Sequence, residues 1–151
     1  MKTITNLTIS IAIAGLSLTA VAAVKVRAKY PFKSYIHPIG VLSVRETVGD
    51  RTTAYRWMGV YRADPNHPKI KAELQRVGKS EYYGVGDAAI SVYAAQLRSA
   101  GIKIDGRMTG LVSYKIKDSR GRTWSVYARS DRDFHPVESG EFSVVIGIPG
   151  G

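Results

Sequence analysis

The side chains best suited to acid–base or metal chemistry are concentrated in one stretch, SDRDFHPVESGE, where Asp131, Asp133, His135, Glu138 and Glu141 fall within eleven residues. Carboxylate oxygens with one imidazole can hold a divalent cation, and a carboxylate there could move a proton. An exported enzyme or a metal-binding protein using Asp131, Asp133, His135 and Glu138 is therefore one reading. The spacing, however, is neither that of a calcium-binding EF-hand loop nor that of a zinc-binding HExxH helix, and Arg132 sits among the acids. A solvated connecting loop accounts for the same residues and requires no cofactor.

Other chemistries have less to build on. The chain has no cysteine, so disulfides, thiolate metal sites and cysteine nucleophiles are excluded. Each of the three histidines precedes a proline (His37-Pro38, His67-Pro68, His135-Pro136), which biases all three towards extended or turn backbone. No GxSxG elbow is present. Residues Gly84 to Ala89 have GxGxxA spacing, but the preceding Lys79-Ser80-Glu81-Tyr82-Tyr83 lacks the apolar run of a nucleotide-binding strand. A glycine turn opening a capped helix explains those letters without a ligand.

The cations are more informative. The formal net charge is +10, yet residues 46–151 hold sixteen basic and twelve acidic residues and so contribute only four of it. Residues 25–45 hold five basic residues and no acid. Within that tract Lys25, Arg27, Lys29 and Lys33 alternate with Tyr30, Phe32 and Tyr35. This mixture of cations and aromatics suits a chain leaving a bilayer among its headgroups. These seven residues are the expected membrane interface.

Ahead of the tract, Leu7 to Val24 carries no charge and is rich in Ile, Leu, Val and Ala. A small-residue cleavage pattern at residues 20–23 favours a signal peptide, whereas the length and the positive charge that follows favour a retained transmembrane anchor. Residues 1–24 are thus expected to be a signal peptide or an anchor, residues 25–38 a basic-aromatic linker, and residues 39–151 one domain. The expected location is exported or membrane-anchored, in the periplasm or envelope, with the side of the membrane left open.

The elements that must position these residues follow from hydrophobic periodicity. IGVLSVRETV and TTAYRWMGVYR, joined at Gly49-Asp50, form a hairpin with Tyr55, Trp57 and Tyr61 on one face. Ile70, Leu74 and Val77 mark a helix ending at Gly78, and Ile90, Tyr93, Ala94 and Leu97 a second helix capped by Asp87. A further β region reads as IKI, a DGR turn, LVSYKIK, a DSRGR turn, TWSVYAR and finally FSVVIGI. Alternation directs Val112, Tyr114, Ile116, Trp124, Val126 and Ala128 inward, leaving Lys115, Lys117, Tyr127 and Arg129 on the opposite face. The fold class is α+β, a small antiparallel sheet built from hairpins with two helices packed on one face, preceded by an N-terminal apolar helix.

The function expected is a non-enzymatic, membrane-proximal binding or structural domain of the cell envelope or of a membrane-containing particle. Its partners would be a lipid surface and a protein, met through the basic linker and through Lys115, Lys117, Tyr127 and Arg129. Nucleic-acid binding by the same cations is the remaining alternative.

Overall fold

A computed structural model describes residues 32–49, 55–78, 82–130 and 140–149. Among the described residues six strands and two helices are formed: β1 (Val41–Val48), β2 (Trp57–Ala63), α1 (Pro68–Val77), α2 (Val85–Ser99), β3 (Ile104–Met108), β4 (Leu111–Lys117), β5 (Thr123–Ser130) and β6 (Glu141–Pro149). The fold is α+β. All strands pair antiparallel in one sheet of order β1-β2-β6-β5-β4-β3. The last strand is inserted between the first hairpin and the β3-β4-β5 meander, and so closes two locally paired halves into one sheet.

Period-two alternation determines which side chains the helices cover. Trp57 and Tyr61 of β2, Val112, Tyr114 and Ile116 of β4, Trp124, Val126 and Ala128 of β5, and Phe142, Val144 and Ile146 of β6 are all buried. The inward set expected for β4 and β5 is therefore observed. Gly59 lies between Trp57 and Tyr61 on the same face of β2, and a Cβ there would collide with the Tyr61 hydroxyl and the Trp57 ring. Absence of a side chain at Gly59 is what lets both large side chains lie over it.

The helix α2 lies across this face and buries Ile90, Tyr93, Ala94 and Leu97 as its periodicity requires. Its first turn is held by the Asp87 carboxylate, which accepts from the Gly84 N–H at 2.9 Å and from the Ser130 hydroxyl at 2.6 Å. Gly86 faces the Glu141 carbonyl and Ser130 so closely that a Cβ would not fit. The GxGxxA stretch is thus a packing device that seats the helix end against β5 and β6. The helix α1 begins with Pro68 in its first turn and His67 as N-cap, whose Nδ1 accepts from the Lys69 N–H at 3.3 Å. It packs mainly on α2 and inserts Ile70 into the core. Val77, expected on the apolar stripe, is exposed.

One turn differs from that expected. The DGR sequence lies within β3, where a bulge between Ile104 and Gly106 absorbs Asp105, and the turn falls instead at Thr109-Gly110. Gly110 takes φ 72°, the left-handed conformation that glycine adopts without steric cost, and its carbonyl accepts from the Ser130 N–H at 2.9 Å. At the end of the expected basic-aromatic linker of residues 25–38, Phe32 is 5% exposed and meets Trp124 edge-on at 5.7 Å, and Pro38 is buried. The expected N-terminal apolar helix lies outside the described residues. Among the described residues, no helix is long and apolar enough to cross a membrane.

Candidate functional site

The segment that leads into β1 is pinned at several points. Phe32 forms an isolated antiparallel bridge with Asp118 at the β4–β5 turn. The Tyr35 ring packs on Trp57 at 5.0 Å, and its hydroxyl shares a 2.7 Å hydrogen bond with that of Tyr61. Tyr93 donates to the Ile36 carbonyl at 2.6 Å, so in its 2.5 Å contact with Tyr114 it must be the acceptor. Gln96 donates to the His37 carbonyl at 2.8 Å and accepts from the Ile39 N–H at 3.2 Å. Burial first, and then the neighbouring tyrosines, raise the Tyr35 hydroxyl well above the usual phenol range; burial raises Tyr114 as well. These phenols stay neutral at physiological pH and serve as hydrogen-bonding struts.

The pinning places Lys33 beside the end of β4. Lys33, Ser34, Lys115, Ile116, Lys117, Asp118 and Thr123 line one open depression of about 550 Å³. Lys115 and Lys117 alternate with the buried Ile116 and therefore share the outer sheet face, opposite Ser125 and Thr123 of β5. The Lys117 ammonium lies 3.5 Å from the Thr123 hydroxyl. Lys115 forms a 3.0 Å ion pair with Asp105, with both side chains more than a third exposed. Such a pair contributes at most about 1 kcal/mol and leaves the lysine able to turn to another anion.

The turn next to the depression adds Arg120 and Arg122, both exposed. Its acid is otherwise engaged. The Asp118 carboxylate accepts from the Arg120 and Arg122 N–H groups at 2.8 and 2.9 Å, and from the Arg122 Nε and Trp124 Nε1, each at 2.9 Å. Desolvation pushes this carboxyl up, but the hydrogen bonds from Trp124, Arg122 and Arg120 together outweigh it and hold it well below the ordinary carboxylate range. Arg122 also covers the Trp124 ring at 5.5 Å from its centroid. Lys33, Lys115, Lys117, Arg120 and Arg122 thus gather at the end of the sheet where Phe32 joins the domain.

The four outer-face residues anticipated from the sequence share one face but not one spot. Arg129 lies opposite Leu111 and Tyr127 opposite Ser113, whereas Lys117 lies opposite Thr123. Lys117 is six residues from Leu111 along β4, roughly 20 Å of strand. Tyr127, 48% exposed, stands between the two cationic ends, beside Val145 of β6 and in the same row as Met58 of β2. At the far end Arg62 pairs with Glu141 at 3.2 Å. The middle of the outer face thus carries Tyr127, Val145 and Met58 beside Ser113, with Lys115 and Lys117 towards one end and Arg129 and the Arg62–Glu141 pair towards the other.

A second cavity, of about 400 Å³, opens between α1 and α2 and is lined by Ile39, Ala72, Val92, Ala95 and several polar residues, Glu73 among them. The Glu73 carboxylate accepts from Arg76 at 2.6 Å and from the Tyr83 hydroxyl at 3.0 Å. The Arg76 hydrogen bond is the main reason its pKa is lowered, so it is held as a carboxylate and is not poised to take a proton at neutral pH.

Of the expected membrane-interface residues, Lys25, Arg27, Lys29 and Tyr30 lie outside the described residues. Phe32 is packed in the core, Tyr35 is half-buried among tyrosines, and Lys33 is exposed. Asp131, Asp133, His135 and Glu138 also lie outside the described residues. Among the described residues, no group of three or more His, Asp or Glu side chains is gathered to hold a metal ion. Arg120 and Arg122 are not among the residues expected from the sequence, where DSRGR reads only as a turn; their proximity in sequence to Lys115 and Lys117 is the available signal. No protein family, curated protein or solved structure matches this chain.

Proposed function

We propose that this protein is a non-enzymatic, membrane-proximal binding or structural domain of the cell envelope or of a membrane-containing particle. Residues 1–24 direct it to the membrane, as a signal peptide or an anchor, and its cations meet an anionic lipid surface or a protein partner. The observation that carries this reading is the gathering of Lys33, Lys115, Lys117, Arg120 and Arg122 where Phe32 joins the sheet. Lys29 stands only three residues before Phe32 in the sequence. The basic tract and the cationic end of the domain can therefore act on the same surface. Each cation near an anionic leaflet contributes on the order of 1 kcal/mol, so five or more make a substantial attraction, one that salt weakens.

The test is flotation of the full chain with vesicles of phosphatidylcholine alone and of phosphatidylcholine with phosphatidylserine. Recovery should be higher on the anionic vesicles, and the difference should shrink as salt is raised. Equal recovery on both at low salt would mean that the apolar segment alone directs binding and that the cations have no part in it.

A further inference from the structure

The lysine depression has features that a merely basic surface lacks. It is concave, and its cations come from separate parts of the chain, Lys33 from the segment before β1 and Lys115 and Lys117 from β4. Lys33 is held there by its neighbours, because Phe32 is locked against Trp124 and Tyr35 against Trp57. A hydroxyl, that of Thr123, lines the same wall. The carboxylate in the lining, Asp118, is surrounded by four hydrogen-bond donors, and the exposed ion pair of Lys115 with Asp105, at 3.0 Å outside the lining, is one that an incoming anion would displace.

We propose that the depression lined by Lys33, Lys115, Lys117 and Thr123 binds a phosphoryl group, carried on the headgroup of an anionic lipid or free in solution. Each ammonium carries three donors, of which Lys115 directs one to Asp105 and Lys117 one to Thr123, and those that remain suit a compact anion with several oxygens distributed around phosphorus. A single carboxylate has two oxygens and would leave one wall of such a site unanswered. The volume of about 550 Å³ exceeds that of a bare phosphate and leaves room for the alcohol to which it is esterified. The site deepens the lipid-facing reading above and rests on it for the headgroup source, but not for the phosphoryl chemistry itself.

Binding would be followed with the full chain in non-ionic detergent by titrating inorganic phosphate against the amide resonances of Lys33, Lys115, Lys117 and Thr123. A second arm measures recovery on phosphatidylcholine vesicles containing phosphatidic acid. The K115Q/K117Q double variant should weaken binding by roughly 25-fold, about five-fold for each lysine, in whichever arm the wild type binds. K33Q should weaken it about five-fold, and K71Q, on α1, should leave it unchanged. Binding to vesicles without binding to free phosphate would identify the source as lipid. If the double variant binds within two-fold of wild type in both arms, or the wild type binds in neither, the site is refuted. The two readings fail separately. A preference for anionic vesicles that survives K115Q/K117Q removes the site and keeps the lipid-facing domain, whereas phosphate binding through these lysines with no preference for anionic vesicles does the reverse.

Discussion

Replacing Phe32 with alanine tests whether the basic tract ends in the domain or continues as a free linker. Phe32 is 5% exposed, lies edge-on to Trp124 at 5.7 Å and bridges to Asp118 through its backbone. Truncating a buried phenylalanine costs about 3–5 kcal/mol, and the lower figure suits a ring at the margin of the core where the cavity can partly collapse. The edge-on aromatic pair with Trp124 is lost in the same change and is worth about 1 kcal/mol beyond burial, already contained in such totals. A loss of about 3 kcal/mol in a domain of this size lowers Tm by roughly 10 °C. Thermal unfolding of the full chain in detergent, followed by tryptophan fluorescence, gives the shift directly. A headgroup-anchoring phenylalanine would behave in the opposite way, with Tm unmoved in F32A and vesicle recovery reduced. A Tm within about a degree of wild type would refute the assignment of Phe32 to the core.

Further outcomes follow from the same packing. G59A forces a Cβ against the Tyr61 hydroxyl and the Trp57 ring and should destabilise by about 1–3 kcal/mol, readable as a lowered midpoint in urea. Y93F leaves the Ile36 carbonyl and the Tyr114 hydroxyl without their shared partner and should cost about 1–3 kcal/mol in the same assay, with Y35F as a comparison at the half-buried end of the tyrosine group. Asp118 has a folded pKa below its unfolded value of about 3.9, so the stability it contributes is complete above that value and is lost as pH falls below about 4. D118N should therefore lower Tm at neutral pH and flatten its decline in acid. Tyr35 and Tyr114 have folded pKa values above the unfolded value of about 10, so their stabilisation is complete below pH 10 and is lost as pH rises beyond it. Alkaline unfolding should coincide with a rise in tyrosinate absorbance.

Much of the fold was legible because its signals are local. Alternation in LVSYKIK and TWSVYAR identifies the buried face of β4 and β5, and the spacing of Ile90, Tyr93, Ala94 and Leu97 identifies that of α2. The insertion of β6 between β2 and β5 was not legible, since residues more than seventy positions apart pair there and nothing in either strand names its neighbour. The β3 turn was misplaced for a related reason. Asp105-Gly106 has the composition of a turn, but pairing with β4 converts it into a bulge, and Thr109-Gly110 makes the reversal. The candidate site was half legible. Lys115 and Lys117 on the outer face follow from the pleat alone, whereas the meeting of Lys33 with them depends on the Phe32–Asp118 bridge across eighty-six residues of chain. The burial of Phe32 and half-burial of Tyr35 are not legible, because an aromatic among cations has the same composition whether its ring faces lipid or a protein core.

Lysine acylation of the full chain on anionic vesicles, read residue by residue by mass spectrometry, tests the central claim most directly. Lys33, Lys115 and Lys117 should be protected relative to the same chain on phosphatidylcholine alone, while Lys69 and Lys71, on α1, should react equally on both. Equal reactivity of Lys33, Lys115 and Lys117 on the two surfaces would contradict a lipid-facing cationic end.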